Sequence, residues 1–209
     1  MSTLAELERA MTAPPGDLAA ARRIARRFGD LDAGDVDTLL WTGERKARLV
    51  AVLILLQRFR DGSADARASI VEQYLAAARG ERLDDRLVVD VSAEHIVGEW
   101  YADRSPNPLF ALAKSDVVWE RRIAVLATLA FVKRGDATTA LDLVGRLLRE
   151  RSEDIQTAVG LVLRETGKRA DHDALIAFLD GNAPRLGRTA LAIATERLSP
   201  QERDRYRTS

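Results

Sequence analysis

The sequence predicts an all-α fold of the α-solenoid class, in which antiparallel helix pairs stack along the chain. Apolar residues recur with helical spacing almost everywhere. Proline, glycine and other turn-forming residues interrupt this pattern at short intervals. The sequence lacks the alternation of apolar and polar residues that marks a strand, so we expect no β-sheet.

Twelve helices are predicted, separated by segments that end a helix or start a turn. The helices span Leu4–Met11, Asp17–Phe28, Asp35–Trp41, Glu44–Arg60, Ala64–Arg79, Asp84–Ala102, Pro108–Ala113, Val117–Lys133, Ala137–Glu150, Asp154–Thr166, His172–Leu179 and Arg185–Leu198. The breaks lie at Pro14-Pro15-Gly16, Asp61-Gly62-Ser63, Ser105-Pro106-Asn107-Pro108, Gly135-Asp136, Gly167 and Gly181-Asn182. Two helices per roughly 35 to 45 residues match HEAT-like or ARM-type repeats, which wind into a superhelix with a concave face.

Length and composition favour one folded domain over residues 1–209. A chain of 209 residues can bury a substantial core, and 46% hydrophobic with 31% charged residues is typical of a globular protein. There is no cysteine, which excludes disulfides, thiolate catalysis and cysteine-ligated metals. The first residues lack the apolar stretch of a signal peptide, and Leu49–Leu56 is far shorter than the about 20 residues of a membrane span. We therefore expect a cytoplasmic protein without membrane contact.

The charge balance does not itself indicate a nucleic-acid partner. Thirty-two basic residues offset thirty-two acidic ones, and a strongly basic face would normally raise the net charge. Only Lys46, Lys114, Lys133 and Lys168 are lysine, and the other basic residues are arginine. A GC-rich genome explains this bias most simply, although the arginine fork also suits phosphate.

The first candidate site residue lies on the helix predicted over Asp84–Ala102. Its buried stripe consists of Val89, Ala93, Ile96 and Trp100. Asp90 falls at the edge of that stripe, with Arg86 one turn earlier. On spacing alone, an intrahelical Arg86–Asp90 ion pair is the favoured interpretation.

Two adjacent arginines distinguish the helix predicted over Val117–Lys133. Its buried stripe contains Trp119, Ile123, Leu126 and Ala130, and Arg121 is predicted on the opposite, solvated side. Arg122 flanks the core. It could bridge to a carboxylate of the next helix or face a phosphate, and the residues alone do not choose between these roles.

Further cations lie near the ends of the last helices. Arg164 and Glu165 precede Gly167-Lys168-Arg169, which is predicted to cap its helix and to place cations at the negative end of the dipole. Arg185 and Arg188 open the last predicted helix, where positive charge opposes the dipole. Contact with a phosphate is therefore a plausible use for these two arginines.

Other chemistries find little support in the sequence. There is no GxxxxGK[ST] phosphate loop and no nucleophile elbow for a Ser–His–Asp triad. His95 and His172 lack metal-ligand spacing, so we predict packing or surface roles for both.

Four ordered segments resemble the HEAT-like DNA alkylation repair glycosylases of the AlkD family. Asp90–Gly98 is similar to the family's D-x-S-A-x-x-I-x-G segment, and Leu112–Ala124 to L-A-x-S…W-x-R-R-I-A. Ala158–Lys168 resembles A-x-G-W-x-L-R-E-x-G-K, and the stretch from Pro184 to Leu198 resembles P-R-T…A-I-E-R-x. The resemblance covers most of the chain from Leu40 onward.

The resemblance implies excision of N3- and N7-alkylated purines from duplex DNA by a monomeric enzyme that needs no metal or other cofactor. Carried over by position, the catalytic aspartate is Asp90 and the essential DNA-facing arginine is Arg122. The further DNA-binding residues that we predict are Arg86, Trp119, Arg164, Lys168, Arg185 and Arg188. Such a protein would act at the nucleoid within the cytoplasm.

The chain departs from the family pattern at two positions. Arg86 stands where the family has a tryptophan four residues before its aspartate, and Leu161 replaces the tryptophan of A-x-G-W. Without these indoles the site is wider, so we predict bulkier adducts than methyl as substrates. The alternatives are a non-catalytic protein of this fold that binds damaged or branched DNA, and a helical scaffold that binds proteins.

Overall fold

The structure, a computed structural model, describes residues 3–11 and 18–206. All regular secondary structure in these ranges is helical, which confirms the all-α fold class. The chain divides into two compact units, Met1–Ser92 and Ala93–Ser209, and the single domain over 1–209 stays a prediction. The predicted break at Pro14-Pro15-Gly16 and the predicted helix start at Asp17 lie outside the described residues.

Unit 1 is built around one helix that is buried on nearly every side. Its helices are α1 (Leu4–Met11), α2 (Leu18–Arg27), α3 (Ala33–Thr42), α4 (Arg45–Asp61), α5 (Ala64–Arg79) and α6 (Arg86–Asp90). Every residue from Leu49 to Leu56 in α4 is buried. A helix that is apolar all round needs neighbours on all sides, and α4 packs against α1, α2, α3, α5 and α6.

Unit 2 has two such central helices. Its elements are a π-helix (Glu94–Gly98), α7 (Glu99–Tyr101), α8 (Asn107–Leu112), α9 (Val118–Lys133), α10 (Ala137–Gly145), α11 (Glu153–Arg169), α12 (His172–Asn182), a 3₁₀ turn (Ala183–Arg185), α13 (Arg188–Ala194) and α14 (Pro200–Asp204). α9 packs against the π-helix, α8, α10 and α11, and α11 also contacts α12 and α13. This packing of helices on their neighbours along the chain is typical of an α-solenoid.

Several predicted helix boundaries are wrong. The helix predicted over Asp84–Ala102 is divided into α6, the π-helix and α7. The helix predicted over Ala137–Glu150 ends at Gly145, after which i→i−3 bonds tighten the chain. The helix predicted over Arg185–Leu198 is reduced to α13, and α14 was not expected. No helix of the described residues is long and apolar enough to cross a membrane.

Glycines of the family-like segments lie where two helices of unit 2 touch. A Cβ on Gly98 would overlap the carbonyl oxygen of Ala127 in α9. A Cβ on Gly160 would lie 2.8 Å from the carbonyl oxygen of Ala190 and 2.7 Å from the Cβ of Ile193 in α13. These glycines therefore allow neighbouring backbones to approach closely.

Gly167 has the same function, and its predicted role as a helix cap is wrong. α11 continues through Gly167 to Arg169. A Cβ on Gly167 would overlap the side chain of Leu175 in α12. The absence of a side chain at Gly167 therefore leaves room for Leu175 where α11 packs against α12, while Lys168 and Arg169 occupy the last turn of α11 as expected.

We expect Gly98→Ala to lower the free energy of unfolding by about 2 to 3 kcal/mol, because the new methyl group meets backbone that cannot rotate away. Gly181→Ala in α12 is the control, since a Cβ there meets nothing within 4 Å. It should leave stability unchanged or raise it by up to about 1 kcal/mol through helix propensity. Urea unfolding of both variants measures the difference, and equal stability would contradict the close-packing role of Gly98.

Candidate functional site

Asp90 is the last residue of α6, a short helix with a well-defined start. The side chain of Asp85 caps this helix by accepting hydrogen bonds from the backbone N–H groups of Leu87 at 2.9 Å and Val88 at 3.3 Å. Val88 and Val89 are buried, whereas Arg86 and Asp90 are exposed. The helix therefore presents its carboxylate and its arginine to solvent while its apolar face fixes it to unit 1.

A buried tyrosine anchors the segment that carries Asp90. The side chain of Tyr74 in α5 is fully buried, and its hydroxyl lies 2.8 Å from the hydroxyl of Ser92. Ser92 in turn donates a hydrogen bond to the carbonyl oxygen of Val88 at 2.6 Å. The serine of the D-x-S segment thus secures the turn that follows Asp90, which sequence patterns could not reveal.

We expect Tyr74→Phe to lower the free energy of unfolding by about 1 kcal/mol at neutral pH, because one buried hydrogen bond is lost. Burial, with the charge of Asp90, raises the pKa of Tyr74 above its ordinary value, although the Ser92 hydrogen bond opposes the shift. The folded state therefore holds this proton more tightly than the unfolded state. This stabilisation is complete below about pH 10, the ordinary tyrosine pKa, and is lost as the pH rises above it.

Chemical denaturation between neutral pH and about pH 11 measures this alkaline loss. Tyr101 and Tyr206 also have raised pKa values, so Tyr74→Phe should reduce the loss of stability without abolishing it. An identical pH profile for the wild type and the variant would contradict the buried role of Tyr74.

Arg122 of α9 is one of the most deeply buried side chains of unit 2. Only 1% of the residue is exposed, and its guanidinium donates a hydrogen bond to the backbone carbonyl of Asp154, in the first turn of α11. The arginine therefore joins α9 to α11. A bridge from Arg122 to another helix was one of the two roles that the sequence left open, and this bridge is present. The hydrogen bond is made to a backbone carbonyl oxygen and not to a carboxylate.

The prediction that Arg121 lies on the solvated side of α9 is wrong. Its side chain is 18% exposed, and its Nε lies 2.8 Å from Oε2 of Glu150. Its Nη1 donates to the backbone carbonyls of Ser115 at 2.8 Å and Asp116 at 3.0 Å. The residues after α10 fold back over this side of α9, so the surface that a helical wheel assigns to solvent is partly covered.

The first turn of α9 contains a buried carboxylate that sequence reasoning missed. Glu120 is 5% exposed and accepts a hydrogen bond from the hydroxyl of Ser115. The same hydroxyl accepts a hydrogen bond from the backbone N–H of Val117 at 3.1 Å. Ser115 and Glu120, two residues of the family-like segment, therefore order the start of α9. Trp119, beside them, is half-buried.

The C-terminal half of α11 carries two of the predicted DNA-binding cations, Arg164 and Lys168. Nη1 of Arg164 lies 2.7 Å from Oε2 of Glu196, and Nε of Arg169 lies 2.7 Å from Oε2 of Glu165. Burial alone would raise the pKa of Glu165, but Arg169, Arg164 and Lys168 lower it. Arg164 follows Asp154 by ten residues of α11, which corresponds to about 15 Å along the helix axis. Arg164 therefore lies far from the contact between Arg122 and the carbonyl of Asp154.

A cavity of about 250 Å³ lies beside these cations. Arg164, Lys168, His172 and Arg197 line it, together with an apolar floor that includes Leu175 and Leu198. Nε2 of His172 lies 2.9 Å from Oε1 of Glu202. Hydrogen bonds from Ser199 and His172 lower the pKa of Glu202 to about 2, so the carboxylate is charged at neutral pH.

Two further predicted cations, Arg185 and Arg188, do not line this cavity. Arg185 ends the 3₁₀ turn and Arg188 begins α13, and both are exposed. The cavity instead contacts the opposite end of α13, at Ala194. The structure thus brings Arg164 and Lys168 together with Arg197 and His172, two residues that the sequence did not single out for binding.

The π-helix brings one set of possible metal ligands together. Ligand atoms of Glu94, His95 and Glu99 lie within 4.8 Å of one another. His95 therefore lies beside two carboxylates, which the spacing of possible metal ligands in the sequence did not predict. Both carboxylates are already engaged: Glu94 pairs with Lys133, and Oε2 of Glu99 lies 2.7 Å from Nη2 of Arg134. A metal ion would have to displace these ion pairs.

The fold and the segments around Asp90 and Arg122 define a helical protein of the class that repairs alkylated DNA. The family model for DNA alkylation repair enzymes matches residues 17–198. The chain therefore belongs to the DNA alkylation repair enzyme family, and the resemblance noted in the sequence is confirmed.

A solved structure has the same fold as this chain. It is described as a predicted DNA alkylation repair enzyme from Enterococcus faecalis, with a TM-score of 0.62 and 16% sequence identity. The similarity covers 87% of this chain and 84% of the Enterococcus chain. No curated protein matches the sequence.

Proposed function

We propose that this chain is a DNA N-glycosylase that excises N3- or N7-alkylated purines from duplex DNA, with Asp90 as its catalytic residue. The observation that carries the proposal is the placement of Asp90. In a chain of the DNA alkylation repair family, this exposed carboxylate ends a helix that Asp85, Tyr74 and Ser92 fix in position.

One carboxylate is sufficient for the chemistry that we propose. A purine alkylated at N3 or N7 is cationic and leaves as a neutral base, so no general acid has to protonate it. Positive charge develops on the deoxyribose as the glycosidic bond breaks. The negative charge of Asp90 would stabilise that sugar and orient the water that attacks its anomeric carbon. The proposal includes neither a metal nor a cofactor.

Arg122 is the second residue for which we propose a role. Since its guanidinium is buried and bonded to the carbonyl of Asp154, its role in this conformation is to hold α9 against α11. Direct contact with a phosphate would require the side chain to move. We assign DNA contact to the other predicted residues, namely Arg86, Trp119, Arg164, Lys168, Arg185 and Arg188.

The residues at the two family tryptophan positions favour bulky lesions in this proposal. Arg86 is exposed and Leu161 is half-buried. Neither provides the flat aromatic face that would stabilise a small cationic lesion by about 1 to 2 kcal/mol. A larger adduct can make up for that loss through its own apolar contacts.

Two alternative functions rest on specific observations. Binding of damaged or branched DNA without excision is favoured by the same missing indoles. A protein-binding scaffold is favoured by the carboxylate partners of several arginines, such as Glu150 for Arg121 and Glu196 for Arg164.

Two measurements on the same duplexes separate the three functions. The glycosylase should release free base from duplexes that contain 7-methylguanine or a bulky N3-substituted adenine. A DNA-binding protein without activity should bind these duplexes with an affinity that falls as salt rises, but release no base. A scaffold should show neither result, and that outcome would overturn the proposed function.

A further inference from the structure

The cavity lined by Arg164, Lys168, His172 and Arg197, here called the basic pocket, has the properties of an anion site. These four side chains come from α11, the start of α12 and the segment after α13. Among the described residues that line the pocket, no side chain is acidic. Its volume of about 250 Å³ is several times the roughly 30 Å³ of one water molecule.

The four polar side chains differ in their carboxylate partners. Arg164 is paired with Glu165 and Glu196, and Nε2 of His172 lies beside Glu202. Lys168 and Arg197 are exposed. Among the described residues, neither of these two makes an ion pair with a carboxylate. The pocket therefore combines two side chains with carboxylate partners, Arg164 and His172, with two exposed cations, Lys168 and Arg197.

We propose that the basic pocket binds one phosphate dianion, carried by the end of a nucleic-acid strand or by inorganic phosphate. A phosphate dianion balances the charges of Lys168 and Arg197. A phosphodiester within a strand has a single negative charge, and the pocket would need two openings for the sugars bonded to it on either side. Phosphate oxygens accept short, charge-assisted hydrogen bonds from guanidinium and ammonium groups. The apolar floor at Leu175 and Leu198 excludes water from one side of the bound group and strengthens these bonds.

For Arg164 and Lys168, the inference rests on the proposed function, which assigns both residues to DNA contact. For Arg197 and His172 it assigns a binding role that the sequence did not indicate. All residues that line the pocket belong to unit 2.

Titration of the ¹⁵N-labelled full chain with inorganic phosphate tests the pocket directly. With ionic strength held constant by chloride, the backbone amide resonances of Gly167, Lys168 and Arg197 should shift and reach saturation. Lys168→Gln and Arg197→Gln should each weaken phosphate binding about tenfold, the effect of one charge-assisted hydrogen bond. Both side chains are exposed, so the variants should fold like the wild type.

Arg149→Gln is the matched control, because it removes one exposed positive charge from unit 2 outside the pocket. It should bind phosphate like the wild type. The proposal is overturned if the amide shifts do not saturate, or if the double variant Lys168→Gln/Arg197→Gln binds as tightly as the wild type.

Duplexes that differ only in a 5′-terminal phosphate or hydroxyl identify the source of the phosphate. A preference for the phosphorylated duplex that disappears in the double variant assigns the pocket to strand ends. Binding of inorganic phosphate without this preference assigns it to the free ion. Base release by the same variants is measured separately. Its absence in the wild type would overturn the proposed function and leave the phosphate titration unaffected.

Discussion

Asp90→Asn is expected to slow the release of an alkylated purine about 100-fold or more. Asparagine keeps the size of the side chain but removes the negative charge that would stabilise the developing cation on the sugar. Asp90 is exposed at the end of α6, so the substitution should change the free energy of unfolding by no more than about 0.5 kcal/mol. The loss of activity can then be attributed to chemistry.

Single-turnover kinetics with enzyme in excess over duplex measures this effect, because product release does not then limit the rate. Asp61→Asn is the control: it also removes an exposed carboxylate at the end of a helix of unit 1 and should leave the rate unchanged. A rate for Asp90→Asn within twofold of the wild type would exclude Asp90 as the catalytic carboxylate.

The second large effect concerns Arg122. Arg122→Ala is expected to lower the free energy of unfolding by about 3 to 5 kcal/mol, as for removal of one partner from a buried polar pair. The change leaves a cavity in α9 and removes the donor to the Asp154 carbonyl at the start of α11. Urea unfolding followed by circular dichroism measures the loss.

Two further variants give the result a clear interpretation. Arg121→Ala should cost less, about 1 to 2 kcal/mol, since that side chain is only partly buried. Arg122→Met fills most of the space without charge, and it should recover part of the stability and keep DNA affinity if Arg122 acts by positioning. Stability of Arg122→Ala within 1 kcal/mol of the wild type would contradict the role of Arg122 in joining α9 to α11.

The helical periodicity of the sequence predicts which side of a helix packs into the core. It does not predict which distant segments of the chain cover the other sides. It correctly placed Arg122 beside the core of α9. It failed at Arg121, because the wheel contains no information about Glu150, which lies 29 residues further along the chain. Burial by a distant segment depends on the tertiary fold.

Two glycines show the same limit, because their contacts with other helices cannot be predicted from the neighbouring residues in the sequence. Gly167 has the sequence signature of a helix cap, but α11 continues through it, and the absence of a side chain there leaves room for Leu175. Gly98 gives no local signal for its close approach to Ala127. The basic pocket combines three elements, so Arg197 and His172 could not be connected with Arg164 and Lys168 from spacing. Asp90 was found through the family resemblance, whereas its anchor at Tyr74 required the structure.

Release of free base decides whether this chain breaks the N-glycosidic bond of an alkylated purine. It is measured by mass spectrometry with the wild-type chain, on a duplex with one bulky N3-substituted adenine and in the presence of a metal chelator. We predict free base and an equal amount of abasic strand, formed well above the rate without protein. An intact duplex that is bound but releases no base above that background would contradict the proposed glycosylase function.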